Sequence, residues 1–260
     1  MVSNFLTELL PISSELYAHA SGALCVPETR TVLIADLHLG YSWAQRRRGE
    51  LGPLADARTR EKLLGVRDQL QPKRFVFLGD VVHAPRPCAP ERAWIEGILK
   101  GLASDAQLIV VRGNHDRRFA AEFAHLPFED VVTWSDGSVT AAHGDRTDFA
   151  WPENHTLILG HLHPALAIRD SSGAGHKLPV FLANSRCVVL PAFSPFARGN
   201  DIISGLPSEL ASCFGAEEIQ VFAATGKKVA RLGPLRNALD TAAESDVSSA
   251  AQFRKGYRKI

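Results

Sequence analysis

Apolar residues in this chain come in short, solid blocks separated by polar punctuation. In the first half three blocks stand out: Thr31-Val32-Leu33-Ile34-Ala35, Arg74-Phe75-Val76-Phe77-Leu78 and Gln107-Leu108-Ile109-Val110-Val111. Runs of this length and composition, rich in β-branched and aromatic residues, predict strands covered on both faces. Ala23-Leu24-Cys25-Val26 precedes the turn-forming Pro27-Glu28-Thr29-Arg30 and predicts a strand joined to the first block by a tight connection. Between the blocks the spacing changes. Leu63, Leu64, Val66 and Leu70 share one side of a helix, as do Trp94, Ile95, Ile98, Leu99 and Leu102. Strand alternating with helix predicts an α/β layer with parallel pairing.

Beyond Asp116 the helical spacing disappears. Val139–Ala142, Thr156–Leu159, Leu178–Leu182 and Cys187–Leu190 are short apolar runs divided by Gly, Asp and Ser, and they predict a strand-rich second half. Asp170–Gly175 reads as a hairpin loop, and no internal repeat is present. From about Thr241 the chain turns to Ala, Ser and charged residues. Residues 1–235 are therefore expected to form a single domain and 236–260 a flexible tail. The 260 residues are 45% hydrophobic and 22% charged, which excludes a largely disordered chain. A net charge of +1 removes any global electrostatic case for nucleic acid or membrane surface. Glu8 and Pro11 interrupt the only apolar stretch near the N-terminus, and no run approaches the ~18–20 apolar residues of a membrane span. Cys25, Cys88, Cys187 and Cys213 are widely spaced, as expected for reduced thiols in a cytoplasmic protein.

The chemistry gathers where the apolar blocks end. The first runs into Asp36-Leu37-His38, the second into Gly79-Asp80-Val81-Val82-His83, and the third into Gly113-Asn114-His115-Asp116. Later blocks run into His143-Gly144-Asp145 and Gly160-His161-Leu162-His163. In an open α/β sheet, ligands bind beyond the carboxyl ends of the strands, so these segments are expected to converge. Each motif alone is common; five of them after five apolar runs are hard to explain by packing. In an extended segment, period-two alternation would put both side chains of Asp36-x-His38, or of His161-x-His163, on one side. Oxygen and nitrogen donors without thiolates suit Mn2+, Fe or Zn2+, and seven of them are enough for two ions.

In these motifs the chain resembles the calcineurin-like metallophosphoesterase superfamily. The resemblance implies a four-layered αββα sandwich with a two-metal site, Mn2+ being the metal expected first. It implies Asp36, His38 and His163 on one metal, Asn114, His143 and His161 on the other, and Asp80 bridging both. It further implies hydrolysis of phosphodiesters by a metal-bridging hydroxide, with His115 as general acid or transition-state contact steadied by Asp116. One departure is visible: many members carry Asp four residues after the glycine of Gly79-Asp80, where this chain has His83 followed by Ala84. That variant, together with Asp36-Leu37-His38-Leu39-Gly40, Arg46-Arg47-Arg48-Gly49 and Leu190-Pro191-Ala192-Phe193, is similar to the bacterial ligase-associated DNA-damage-response branch. Membership there would imply DNA as substrate and DNA ligase or helicase repair proteins as partners.

Local charge brings nucleic acid back. Residues 41–60 hold Arg46, Arg47, Arg48, Arg58 and Arg60 against Glu50 and Asp56, and Arg112, Arg117 and Arg118 bracket the third motif. A guanidinium offers phosphate a two-pronged hydrogen bond, so Arg46, Arg47, Arg48, Arg117 and Arg118, with His83, are candidate substrate contacts. Tyr41 and Trp43 would either stack on a base or pack locally. Asp145 and Asp148 either orient His143 or are ordinary loop acids. Two rival functions remain open from sequence: a phosphomonoesterase or nucleotide pyrophosphohydrolase using the same site, and a non-catalytic repair partner with a structural metal site.

Overall fold

The structure, a computed structural model, describes residues 9–50, 55–84, 86–117, 127–134, 138–146, 148–169, 175–197 and 199–238. Sixteen strands among them form two sheets that follow chain order. The first holds β1 (Leu9–Pro11), β2 (Tyr17–His19), β3 (Leu24–Val26), β4 (Thr31–Ala35), β5 (Arg74–Leu78), β6 (Gln107–Val111) and β7 (Phe128–Glu129), each beside the next. Its first four strands pair antiparallel and its last four parallel. The second is built from β8 (Val131–Thr133), β9 (Val139–Ala142), β10 (Thr156–Leu159), β11 (Pro164–Arg169), β12 (Gly175–Ala183), β13 (Cys187–Val189), β14 (Asn200–Asp201), β15 (Gln220–Ala224) and β16 (Val229–Pro234). Here β9, β10 and β13 are parallel neighbours, and β11 with β12 makes the expected antiparallel hairpin.

Among the described residues four α-helices accompany the sheets: α1 (Tyr41–Arg47), α2 (Ala55–Leu70), α3 (Ala89–Ala103) and α4 (Ser208–Phe214). The long pair, α2 and α3, carry the helical spacing seen in the sequence. α3 opens with a capping box between Cys88 and Glu91 and has Pro at its first turn. α1 and α4 were not legible, because each is only seven residues long and lacks a side-chain cap of its own. At the start of α1, Gly40 adopts φ 90°, and the caps come from elsewhere. The Asp56 carboxylate on α2 accepts the backbone N–H of Gly40 at 2.9 Å and of Ser42 at 3.0 Å.

Strand alternation divides the core into three apolar clusters. Val32, Ile34, Phe75 and Phe77 face Leu63, Val66, Ile95 and Leu99 of α2 and α3. Their neighbours Leu33, Ala35, Val76 and Leu78 meet Ala141, Ile158, Phe181 and Val188 of the second sheet. The other face of that sheet, with Leu157, Leu159, Val180 and Val189, packs on Leu210, Cys213 and Phe214 of α4. Cluster membership therefore runs helices, sheet, sheet, helix. Ala238 is buried in the third cluster, so ordered packing continues past residue 235. The expected flexibility beyond 238 lies outside the described residues.

Register places the site. Ala35, Leu78 and Val111 lie side by side at the ends of β4, β5 and β6. Ala142, Leu159 and Val189 do so at the ends of β9, β10 and β13. The two sheets join at the same level: Ala35 bridges Ala192, and Phe193 N–H donates to the Ala35 carbonyl at 2.8 Å.

Candidate metal centre

Because the strands end level, each motif begins at nearly the same height, and backbone conformation then turns the donors inward. Asp36, His38, Asp80, His161 and His163 all have positive φ, between 46° and 63°. Left-handed backbone costs a non-glycine residue about 1–3 kcal/mol, and such strain collects at functional sites. Only Arg30 and Gln71 share it among the other described non-glycine residues. Gly79 has φ 74°, and a Cβ there would lie 2.3 Å from His143 Nδ1. At Gly113 a Cβ would meet Asp80 Oδ1 at 2.3 Å. Both glycines are needed for their neighbours' side chains to fit.

Two donor groups result, each with ligand atoms within 4.8 Å of one another: Asp36, His38 and His163, and Asp80, His143 and His161. Asn114 reaches the second, its Oδ1 3.3 Å from His143 Nε2. Asp80 lies between them. Its Oδ2 is 4.0 Å from His38 Nε2, and its Oδ1 is 3.5 Å from His143 Nε2. His163 Nε2 stands 3.1 Å from Asp36 Oδ1, and Asp36 Oδ2 accepts the backbone N–H of His161 at 3.0 Å. The Leu78 carbonyl, 2.8 Å from His143 Nδ1, accepts its proton and leaves Nε2 as a lone pair.

The period-two expectation needs correction. Asp36-x-His38 and His161-x-His163 lie just past their strands, in left-handed backbone rather than extended segments. His161 and His163 consequently enter different groups.

Electrostatics favour the deprotonated ligand state that metals require. Burial pushes His38 down to about 3, with nearby His163, His115 and His83 acting the same way against Asp36. His161 is lowered by burial and then by His143. Burial alone would raise Asp36, but His163, His143 and His38 bring its carboxyl below the ordinary range. His38 Nδ1 is buried without a hydrogen-bond partner. Carboxylates, neutral imidazoles and an amide oxygen, crowded with no cationic side chain among them, fit divalent ions of the Mn2+, Fe or Zn2+ kind.

His115 flanks this centre. Its Nε2 is 3.9 Å from Asp80 Oδ2, and its Nδ1 is held at 2.7 Å by the carbonyl of His83. The sequence assigned that steadying to Asp116. Instead, fully buried Asp116 accepts the N–H groups of Gly113 at 3.1 Å and Val82 at 3.3 Å. It braces the Gly113–Asp116 turn, while the His83 backbone orients the imidazole. The His83 ring packs 5.6 Å from His38 and 4.9 Å from Tyr41, and forms a third histidine group with His38 and His115. Burial lowers His83 to about 4, with His115, Arg48 and Arg47 adding to the effect, which puts both arginines within electrostatic reach of the site.

The basic residues divide. Arg47 is tied to buried Glu91 at 2.8 Å, and Arg117 to Asp145 at 2.7 Å. Asp145 thus pairs with arginine rather than orienting His143, and Asp148 likewise pairs with Arg146 at 2.9 Å. Arg46 and Arg48 are exposed, Arg46 beside a hollow that it lines with Trp43, Arg60 and Trp94. Arg118 lies outside the described residues. Sequence reasoning missed Asp56 and Glu91 as structural acids and Lys62 altogether; the partners of Asp56 lie 14 to 16 residues away, and Glu91 is locally only a helix cap while its ion-pair partner Arg47 lies 44 residues away.

Two level sheets whose strand ends deliver clustered His and Asp donors define a metallophosphoesterase-type centre, and sequence comparison agrees. The family of calcineurin-like phosphoesterases matches residues 29–190, and the chain belongs to it. Members of this family use a dinuclear divalent metal site. Among solved structures, the nuclease MPE of Pseudomonas putida is similar with a TM-score of 0.63 at 22% identity, over 86% of this chain and 99% of that one. No curated protein matches the chain. No helix among the described residues is long and apolar enough to cross a membrane.

Proposed function

We propose that this protein is a two-metal phosphodiesterase acting on nucleic acid, a nuclease, with Mn2+ as its working metal. The observation that carries the reading is Asp80: each of its oxygens faces a different donor group, as a carboxylate shared by two ions would. Asp36, His38 and His163 would hold one ion, and Asn114, His143 and His161 the other. Bound there, divalent ions would polarise phosphoryl oxygens and lower the pKa of bound water towards about 7.

The remaining work falls to the chain's own groups. His115 keeps its Nδ1 proton on the His83 carbonyl, so Nε2 is the nitrogen that meets substrate. As an imidazolium it donates its Nε2 proton to the departing alkoxide, a contribution of about 10²–10⁴ in rate. Exposed Arg46 and Arg48 supply phosphate contacts along the strand. The similarity to the Pseudomonas putida nuclease supports a nuclease here, and the motifs similar to the DNA-damage-response branch support a role in DNA repair, in the cytoplasm.

The test is a panel of bis- and mono-p-nitrophenyl phosphate with linear single-stranded, duplex and circular DNA, each with added Mn2+. Turnover of the diester and of DNA, lost in His115→Ala, is expected. Turnover of the monoester alone would overturn the reading.

A further inference from the structure

A cavity of about 700 Å3 adjoins the centre, with His163 on its wall. It falls inside the ~300–1,000 Å3 range of small-molecule sites. The described residues lining it include no carboxylate, and they include two ammonium groups. Lys62 on α2 donates to the Phe193 carbonyl at 2.7 Å and lies 4.0 Å over the Phe193 ring. Lys177 on β12 donates to the Gly199 carbonyl at 2.6 Å. Each interaction uses one N–H of three, which leaves donors for a ligand. Carbonyls do not neutralise a cation, and among the described residues neither lysine is paired with a carboxylate. Arg47 and Arg117 differ, being paired with acids. Ser194 and the half-buried ring of Phe196 complete the walls nearest the centre. Burial pushes the Lys62 ammonium down to about 7, and an adjacent anion would restore its charge.

We infer that this cavity seats a phosphate-bearing nucleotide unit next to the scissile diester, with Lys62 and Lys177 on its phosphate and Phe196 against its base. The inference rests on the phosphodiesterase reading for its reaction and on the cavity for its substrate. A lone phosphoryl group at the metal centre leaves the cavity empty; a strand of two or more nucleotides fills it. The occupant is thus part of an extended nucleic-acid substrate, and bases stack on aromatic rings without regard to sequence.

The experiment compares kcat/KM on a thymidine pentanucleotide with that on bis(p-nitrophenyl) phosphate, which carries no second phosphate. In Lys62→Met/Lys177→Met the ratio is expected to fall about 10-fold or more, through KM, as hydrogen bonds to charged phosphate are lost. Lys62→Arg, which keeps a cation, retains most of the ratio. A ratio unchanged in the double variant, or a Lys62→Arg as impaired as Lys62→Met, would overturn the cavity's role and assign the lysines to packing. Failure of the wild-type protein to hydrolyse bis(p-nitrophenyl) phosphate is a separate outcome, and overturns the phosphodiesterase reading itself.

Discussion

Asp80 shows how much one side chain can control. It accepts the His115 N–H at 3.0 Å through Oδ1, turns one oxygen to each donor group, and does so from left-handed backbone. Asp80→Asn keeps the shape and exchanges a shared charge for an amide. Activity should fall below ~1% of wild type, a loss of about 2.7 kcal/mol or more in transition-state stabilisation, while circular dichroism is unchanged; substantial residual turnover would remove Asp80 from its assigned place. Lys62 carries a second residue-scale consequence. Its folded pKa, about 7, is below its ordinary value of 10.5, so between those limits the unfolded chain binds more protons. Stability from this group therefore rises with pH across that window, and its full cost applies below pH 7. The Tm advantage of Lys62→Met over wild type should shrink between pH 6.5 and 9.5; a constant difference would show that the amine titrates normally.

At the scale of elements, the strands were legible and the short helices were not. Thr31–Ala35, Arg74–Leu78, Gln107–Val111, Val139–Ala142 and Thr156–Leu159 fall where their apolar runs predicted. Four or five consecutive, mostly apolar residues that are largely buried leave the chain little alternative. α1 depends instead on carboxylates from two other helices: Asp56 caps its start from α2, and Glu91 of α3 holds Arg47 near its end. A local reading counts these two acids as offsets to a basic stretch or as a helix start. Asp56→Ala should cost about 0.5–2 kcal/mol, the usual value of an N-cap, measured by urea unfolding. It should also weaken DNA binding more than it weakens bis(p-nitrophenyl) phosphate hydrolysis, since α1 carries Arg46 and Arg48 but none of the metal ligands. Equal loss on both would mean that α1 supports the centre directly.

At the scale of the molecule, the two sheets meet where their donors are needed. The buried carboxylates and left-handed ligands make the arrangement costly, and ions that bind only the folded state would offset that cost. Saturating Mn2+ at about 1,000 times its dissociation constant would add about 4 kcal/mol, and for a domain of this size each kcal/mol raises Tm by about 2–4 °C. Scanning calorimetry with Mn2+ and then EDTA should show that rise and its reversal. Metal analysis should return two ions per chain, and fewer would favour a structural rather than catalytic centre.

The sequence by itself determined which candidate donors the chain offers and where along it they come, because apolar runs mark strands and polar strand ends mark the crevice. It also showed that near-zero net charge hides local basic stretches. Which donor joins which group was decided only in three dimensions. His161 and His163 separate, and Asp36 receives a hydrogen bond from a residue 125 positions away. Such partnerships depend on strand register across two sheets and on left-handed turns that Gly79 and Gly113 make room for. Side-chain alternation along an isolated segment contains neither.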